Sequence, residues 1–272
     1  MNTEKVIFIG GSGRCGTTLI AELLDCHPDI ASIFEVHSLV FLLKCIRNNA
    51  VPGGGLLNSQ RETIRHALLP STEYNWRLTE EEALFAWEKI LTEGIRSGEP
   101  LLDATRRWLG YLHRLQMLRD GSRYIAHKTP ALALYLPELR LLQPEAFFIH
   151  IVRRPQDVIL SYIEQDWGPD TLAEGIEWYC DRVGAVLEAK ERFPNYVEIR
   201  FEDLVSAPAR VLDEVQEVLG IENATGAILS HSLIDFEKIT RRGDRLGGEE
   251  HARILREVGR RLPHIGEIYG AP

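Results

Sequence analysis

A glycine-rich turn between a predicted strand and a predicted helix constrains the fold of this 272-residue chain more than any other feature. Residues 6–9, VIFI, are β-branched or aromatic and predict a buried parallel strand. The turn GGSGRCG follows at residues 10–16, and residues 17–24, TTLIAELL, predict a helix. Glycines allow close approach of a ligand, and the amides and dipole at a helix start favour an anion. The segment therefore predicts a phosphate cradle, with a purely structural turn as the alternative.

The spacing of this turn is that of a nucleotide-binding P-loop with one departure. Gly11 and Gly16 match the two glycines of G-x-x-x-x-G-K-[ST], but Thr17 stands at the lysine position. A nucleoside triphosphatase needs that lysine, and usually Mg²⁺, at the β- and γ-phosphates. This chain instead has a cation inside the turn, at Arg14. We expect the cradle to hold one 5′-phosphate-like group without a metal.

Composition and charge are those of an ordinary globular protein and argue against some partners. Hydrophobic residues make up 44% and charged residues 26% of the sequence, and the length suits one α/β domain. The formal net charge of −9 argues against a general nucleic-acid surface and against adhesion to anionic membranes. It leaves room for a local basic pocket.

The cysteines and the N-terminal segment bear on the compartment. The four cysteines form no CxxC motif and no metal-like pairing with histidines, which is typical of reduced cytosolic thiols. The first residues lead directly into the predicted strand, so we expect no signal peptide. No apolar run approaches the ~20 residues of a membrane span. We therefore expect a cytoplasmic protein.

Strand and helix patterns alternate along most of the chain. They predict an α/β fold, with a mostly parallel central sheet covered by helices on both faces. Further strands are predicted at 124–128, 147–152 and 196–201, and helices at 35–45, from 155, at 172–192, at 209–219 and at 249–262. Between them, residues 48–122 predict a loop at 48–55 and helices at 80–95 and 105–118. We interpret this part as a helical insertion in one domain of residues 1–272, with the ligand site beyond the carboxyl ends of the strands.

Three polar segments lie at those strand ends and identify a family. Residues 13–18, GRCGTT, residues 152–158, VRRPQDV, with Ser161, and residues 200–205, RFEDLV, follow one another in that order. In this respect the chain resembles the PAPS-dependent sulfotransferases, where PAPS is 3′-phosphoadenosine 5′-phosphosulfate. The resemblance implies a P-loop-like sulfotransferase fold. It also implies transfer of a sulfuryl group from PAPS, with PAP as the product and no metal required.

The resemblance implies that two basic segments bind PAPS, one at its 5′-phosphosulfate and the other at its 3′-phosphate. The residues assigned to the donor on this basis are Gly11, Ser12, Gly13, Arg14, Cys15, Gly16, Thr17, Thr18, Arg153 and Ser161. A helix-flanking salt bridge at Arg153 and simple helix packing at Ser161 are the alternatives. Arg154 is expected to face solvent, because adjacent residues at a strand end point in opposite directions.

Two further parts of the donor site are less constrained by the motifs. Phe201 or Trp167 is a candidate for stacking on adenine, although aromatic residues there are core residues by default. Arg241, Arg242 and Gly243 resemble the basic R-K-G segment that clamps the 3′-phosphate in many sulfotransferases. A solvated basic loop explains that segment almost equally well.

Lys128 is the candidate for stabilising the transition state. Sulfuryl transfer passes through a loose, in-line transition state, like that of phosphoryl transfer. A lysine or arginine that meets the charge growing on the bridging oxygen makes a metal dispensable. Lys128 ends the strand at 124–128, and Arg14 is close to the 5′ end of the donor. A surface lysine at a strand end is the alternative interpretation.

The general base is the least constrained role. Many cytosolic sulfotransferases use a histidine after a lysine–threonine pair, but Pro130 occupies that position here. The segment from Arg14 to Glu35 resembles instead that of tyrosylprotein sulfotransferases, in which L-x-x-H-P-D, here Leu24 to Asp29, precedes a catalytic glutamate. This resemblance implies that Glu35 is the base, with His37 in reserve. A capping box from Ser32 to Glu35 is the competing explanation. His27, His127 and His150 are expected to be structural.

We predict a sulfotransferase whose acceptor is the hydroxyl of a small metabolite or a glycan, with the insertion at 48–122 covering the acceptor side. Protein tyrosine is the less favoured acceptor. The rival interpretations are a P-loop kinase acting on a small metabolite, and an inactive protein that binds PAP. Neither nucleic acid nor a membrane is an expected partner. The oligomeric state stays open, with a homodimer as one option.

Overall fold

A five-stranded parallel sheet forms the centre of the molecule. The computed structural model describes residues 5–67, 77–236, 239 and 248–270. The strands are β1 (Lys5–Gly11), β2 (Ile30–Phe34), β3 (Tyr124–Lys128), β4 (Phe147–Val152) and β5 (Tyr196–Arg200). Their order across the sheet is β2-β3-β1-β4-β5, and every pairing is parallel. The predicted fold class is confirmed.

Helices connect the strands and cover both faces of the sheet. The α-helices are α1 (Thr17–Asp25), α2 (His37–Arg47), α3 (Gly54–Ala67), α4 (Glu80–Phe85), α5 (Glu93–Arg96), α6 (Leu101–Asp120), α7 (Leu136–Leu142), α8 (Pro155–Ile163), α9 (Leu172–Ala189), α10 (Phe201–Ser206), α11 (Pro208–Leu219), α12 (Thr225–His231), α13 (Gly248–Arg261) and α14 (Pro263–Tyr269). A π-helical segment, Ala86–Thr92, joins α4 to α5, and 3₁₀ turns occupy Pro130–Tyr135 and Lys190–Arg192. None of the helices within the described residues is both long enough and apolar enough to cross a bilayer.

Alternate residues of the central strands enter two separate hydrophobic cores. In β1, Val6 and Phe8 pack into the core on one face, and Ile7 and Ile9 into the core on the other. A parallel sheet covered on both faces requires this nearly continuous apolar run, which is why the sequence pattern identified β1 so directly. The helices around residues 48–122 contribute to the first core, and α1, α8, α9 and α11 to the second.

The segment between β2 and β3 is helical over most of its described part. The predicted helices near 80–95 and 105–118 are present, whereas α3 falls in a region for which no helix was predicted. Trp87 and Trp108 are fully buried and meet edge to face at 5.5 Å. The Trp87 indole donates a hydrogen bond to the Leu57 carbonyl, which fixes α3 against the π-helical segment.

Candidate active site

The turn after β1 forms a cradle at the carboxyl edge of the sheet. Gly13, Arg14 and Gly16 have φ values of 82°, 51° and 103°, in the left-handed region. Arg14 is the only one of the three with a side chain to strain, and such strain is typical of functional turns. Gly16 precedes α1, and no side chain caps the first amides of that helix. The helix start can therefore donate to an anion held in the turn.

Close contacts explain why glycine is required in this turn. A Cβ atom on Gly13 would collide with the Tyr162 hydroxyl, and one on Gly16 would collide with the Phe201 ring. The Tyr162 hydroxyl also donates a hydrogen bond of 2.7 Å to the Ser12 carbonyl, which ties α8 to the turn. Cys15 is fully buried beneath the turn, and burial raises the pKa of its thiol. Its side chain is thus structural.

The predicted donor residues from three segments are brought together. Arg14 Nε donates to Ser161 Oγ at 2.9 Å, and Arg153 donates through Nη1 to the Arg14 carbonyl at 3.1 Å. The Arg153 guanidinium carbon lies 4.3 Å from the centre of the Phe201 ring. Arg153 therefore stacks on one face of Phe201, the residue that the sequence suggested for stacking on adenine. Burial lowers the pKa of Arg153, and the Asp157 carboxylate 3.7 Å away opposes that shift.

Arg154 points away from this group. Its side chain is 40% exposed, against 20% for Arg153, in agreement with the predicted alternation at the strand end. Arg154 Nε lies 3.2 Å from an Asp157 carboxylate oxygen and 3.6 Å from a Glu202 oxygen. These partners anchor Arg154 outside the cradle.

Glu35 and Lys128 form an ion pair with both side chains largely buried, at 16% and 5% exposure. The Glu35 amide donates to the Lys128 carbonyl at 2.7 Å, and the Val36 amide donates to Thr129 Oγ1 at 3.0 Å. Glu35 itself has a φ of 52°. His37 lies beside the pair, with its Nε2 3.8 Å from the second Glu35 oxygen. The two predicted catalytic side chains, Glu35 and Lys128, therefore lie together at the ends of β2 and β3, and hydrogen bonds from backbone amides hold the turn after β2 against β3.

The capping-box explanation of Glu35 is wrong. Helix α2 begins at His37 rather than at residue 35, and its cap residue, Val36, makes no side-chain capping bond. The Ser32 hydroxyl donates instead to the Ala21 carbonyl within the core. Tertiary hydrogen bonds from the neighbouring strand compete with the local capping geometry and prevail.

One cavity of about 660 Å³ connects these groups. The predicted residues that line it are Ser12, Gly13, Arg14, Gly16, Thr17, Thr18, Glu35, His37, Arg153 and Ser161. Lining residues without a role predicted from the sequence are Thr129, Pro130, Ala131, Tyr162 and Arg182, and Trp167 was considered only for adenine. Gly11, Cys15, Lys128 and Phe201 lie behind the lining rather than in it.

The histidines expected to be structural are buried. His27 accepts a hydrogen bond from the Asp29 amide and contacts the Glu222 carbonyl at 2.9 Å. His127 and His150 are fully buried within β3 and β4, and burial lowers the pKa of both. The segment Arg241–Gly243, considered for the 3′-phosphate, lies outside the described residues. Among the residues that are described, no cluster of His, Cys, Asp or Glu side chains could hold a metal ion.

Comparison with known proteins agrees with this geometry. The sequence profile described as "Sulfotransferase family" matches residues 6–225. A Caenorhabditis briggsae protein named "Putative protein-tyrosine sulfotransferase" is 25% identical over 242 residues, which cover 87% of this chain and 72% of the relative.

Solved structures share the fold. The sulfotransferase domain of the Synechococcus PCC 7002 olefin synthase superposes with a TM-score of 0.63 at 19% identity, covering 99% of this chain and 95% of that domain. The sulfotransferase domain of the curacin biosynthetic pathway gives a TM-score of 0.55 at 18% identity, covering 93% and 96% of the two chains.

The chain belongs to the sulfotransferase family. The resemblance to PAPS-dependent sulfotransferases predicted from the sequence is confirmed, and the protein is an enzyme that transfers a sulfuryl group.

Proposed function

We propose that this enzyme transfers the sulfuryl group of PAPS to the hydroxyl of a small metabolite or a glycan, with Glu35 as the general base. The observation that carries the proposal is the Glu35–Lys128 ion pair, whose carboxylate residue Glu35 lines the same cavity as the Arg14 turn. Metal-independent sulfuryl transfer needs a general base, a cation for the departing oxygen and a cradle for the anionic donor, and Glu35, Lys128 and the Arg14 turn can supply them.

The proposed donor site has two halves. The turn at residues 12–18 would receive the 5′-phosphosulfate, with Arg14 and the first amides of α1 as donors. Arg153 and Ser161 would receive the 3′-phosphate. The proposal is supported by the hydrogen bond between Arg14 and Ser161, because it brings the two halves within reach of one nucleotide.

The proposed chemistry is a single in-line displacement. The acceptor oxygen forms a bond to sulfur while the bond from sulfur to the bridging oxygen of the donor breaks. The acceptor proton passes to the Glu35 carboxylate. Lys128 transfers its hydrogen bond from Glu35 to the departing oxygen, and this exchange releases the carboxylate as the negative charge develops.

An assay with sulfate-labelled PAPS tests this function. Phenols, alcohols, sugars and tyrosine peptides are offered in parallel, and the label is followed into the product. We expect label on small hydroxyl compounds with the wild type and almost none with Glu35→Gln. Binding of PAP without transfer to any acceptor would instead support an inactive binding protein, and phosphorylation from ATP would support a kinase.

A tyrosine side chain is the second candidate acceptor. The name of the C. briggsae relative is the observation that favours it. Transfer to tyrosine peptides with higher kcat/KM than to any small hydroxyl compound would establish this alternative.

A further inference from the structure

Arg182, on α9, is a cation in the cavity wall that the proposed donor site does not use. Its guanidinium carbon lies 3.5 Å from the centre of the Trp178 ring, so the group stacks on the indole. Among the described residues, no carboxylate forms an ion pair with it; burial lowers its pKa, and the nearby Tyr162 and Asp181 oppose that shift. A half-buried guanidinium with no anionic partner is costly, and an incoming anion would offset that cost.

Arg182 lies outside the hydrogen-bond network of the proposed donor residues. Arg14, Ser161 and Arg153 are connected by direct hydrogen bonds, and Arg182 takes no part in that network. Helix α9 packs on α8, which carries Ser161 and Tyr162, and also on the 3₁₀ turn Pro130–Tyr135. Pro130 and Ala131, at the start of that turn, line the cavity after Thr129, whose hydroxyl holds the Glu35 turn. Arg182 thus lines the same cavity as Glu35 without sharing a hydrogen bond with Arg14, Ser161 or Arg153.

The same wall carries aromatic surface. The Trp167 side chain is 62% exposed and meets the Tyr162 ring edge to face at 5.5 Å. Tyr162 lies in turn 5.3 Å, centre to centre, from the Trp178 ring that supports Arg182. An exposed indole in the same cavity wall as a cation that pairs with no carboxylate suits a ligand with an apolar body and an anionic group.

We propose that the acceptor carries a carboxylate as well as its reacting hydroxyl, and that Arg182 binds this carboxylate. The inference rests on the proposed function and narrows its acceptor class. Trp167 contacts the apolar part of the acceptor, and the hydroxyl reaches Glu35. A stacked guanidinium offers a planar pair of N–H donors to a carboxylate, which a lysine cannot reproduce.

Matched acceptor pairs test the proposal. The pairs are 4-hydroxyphenylacetate with 4-ethylphenol, and glucuronate with glucose, each assayed with PAPS by release of PAP. The wild type is compared with Arg182→Gln, Arg182→Lys and a control, Arg140→Gln, which changes an exposed arginine on α7 outside the cavity lining. PAP affinity and melting temperature are measured for every variant.

We expect the wild type and Arg140→Gln to favour the acid in at least one pair by about tenfold to a hundredfold in kcat/KM. Arg182→Gln should reduce this preference to less than about threefold, and Arg182→Lys should keep part of it. PAP affinity should be the same in all four proteins, because the substitution lies outside the donor network.

Three results of the acceptor assays would overturn the proposal. They are a preference for the neutral member of both pairs, an acid preference that survives Arg182→Gln, and no transfer to either acid by a protein that transfers to other hydroxyls. A tenfold loss of PAP affinity in Arg182→Gln would also overturn it, by assigning Arg182 to the donor. Failure of the wild type to bind PAP or to use PAPS would refute the proposed function itself, and the inference with it.

Discussion

The two sides of the cavity that we propose for the donor and the acceptor are built in different ways. The donor side depends on one contiguous turn, residues 12–18, and on two residues that close over it, Arg153 and Ser161. The acceptor side is assembled from the ends of β2 and β3, the 3₁₀ turn Pro130–Tyr135 and helix α9. Recognition of a phosphate by backbone amides is local and leaves a motif in the sequence. Recognition of an acceptor depends on contacts between distant segments and leaves none.

The donor side and the acceptor side nevertheless share one feature of their backbone. Each holds a non-glycine residue in the left-handed region, Arg14 at φ 51° and Glu35 at φ 52°. Hydrogen bonds from neighbouring segments hold each turn in place, from Arg153 on the donor side and to Lys128 and Thr129 on the acceptor side. Strained backbone persists only where its surroundings over-determine it, so these turns are the places to test the two sides separately.

The largest effect is expected from Glu35→Gln, which removes the basic carboxylate and keeps the size of the side chain. Turnover should fall by about 10² to 10⁴, the usual contribution of a general base. PAP affinity, measured by calorimetry, should barely change because the donor side is intact. His37→Ala is the control. If that variant loses turnover while Glu35→Gln keeps it, the base is His37.

The donor side is tested by Arg14→Ala and Arg153→Ala. Each removes a charge-assisted contact worth about 1.5–3 kcal/mol, so PAP affinity should fall by roughly tenfold to a hundredfold. Arg154→Ala should have a much smaller effect, because Arg154 is anchored to Asp157 and Glu202 outside the cradle. Equal losses at Arg153 and Arg154 would contradict the described geometry.

Thr129→Val tests whether the Glu35 turn must be tied to β3. The substitution leaves the Val36 amide without its acceptor, at a cost of about 1–3 kcal/mol. We expect kcat to fall by about tenfold with PAP affinity unchanged, and Thr129→Ser to restore it. A drop in melting temperature with normal kcat would mean that the hydrogen bond from the Val36 amide to Thr129 contributes to stability alone.

The free energy of unfolding should depend on pH because two histidines, His113 and His127, are buried next to each other at β3. His113 and His127 are fully buried with their ring nitrogens 3.2 Å apart, and burial lowers the pKa of His113 to about 3 and that of His127 well below 6.5. Because both pKa values are lower in the folded state than in the unfolded chain, the unfolded chain binds protons at pH values where the folded state does not. Stability is therefore full above pH 6.5 and is lost as the pH falls below it, by up to about 1.4 kcal/mol per pH unit for each histidine.

Urea unfolding from pH 7 to pH 5 measures this loss. His113→Leu removes one of the two groups, so its stability should fall less steeply than that of the wild type. Parallel slopes for the two proteins would contradict the assignment.

The sequence predicted four of the five strands and the glycine turn after β1, because these depend on local patterns. The apolar run of β1 is typical of a strand that is buried on both faces, and the spacing of the glycines predicts the turn that follows it. Helix α3 was missed because it begins among glycines at residues 53–55, and it is held by a bond from Trp87 that no local pattern reveals. Arg182 was missed for a similar reason, since its place in the cavity results from packing of α9 on a turn some fifty residues earlier in the chain.

Resemblance and local pattern gave competing explanations for Glu35, and the tertiary structure excludes the local one. The spacing from Ser32 is that of a capping box, yet Glu35 pairs with Lys128, 93 residues away. Only the parallel pairing of β2 with β3 brings these two side chains together. Its role as the base stays a prediction that the turnover measurements decide.

Calorimetric titration with PAP and, separately, with ATP–Mg²⁺ tests the central claim most directly. The account predicts that PAP binds with the same affinity in EDTA as in Mg²⁺, because Arg14, Arg153 and helix amides supply the positive charge. ATP–Mg²⁺ should bind far more weakly, since Thr17 replaces the lysine that a triphosphate requires. Tighter binding of ATP–Mg²⁺ than of PAP, or loss of PAP binding in EDTA, would contradict it.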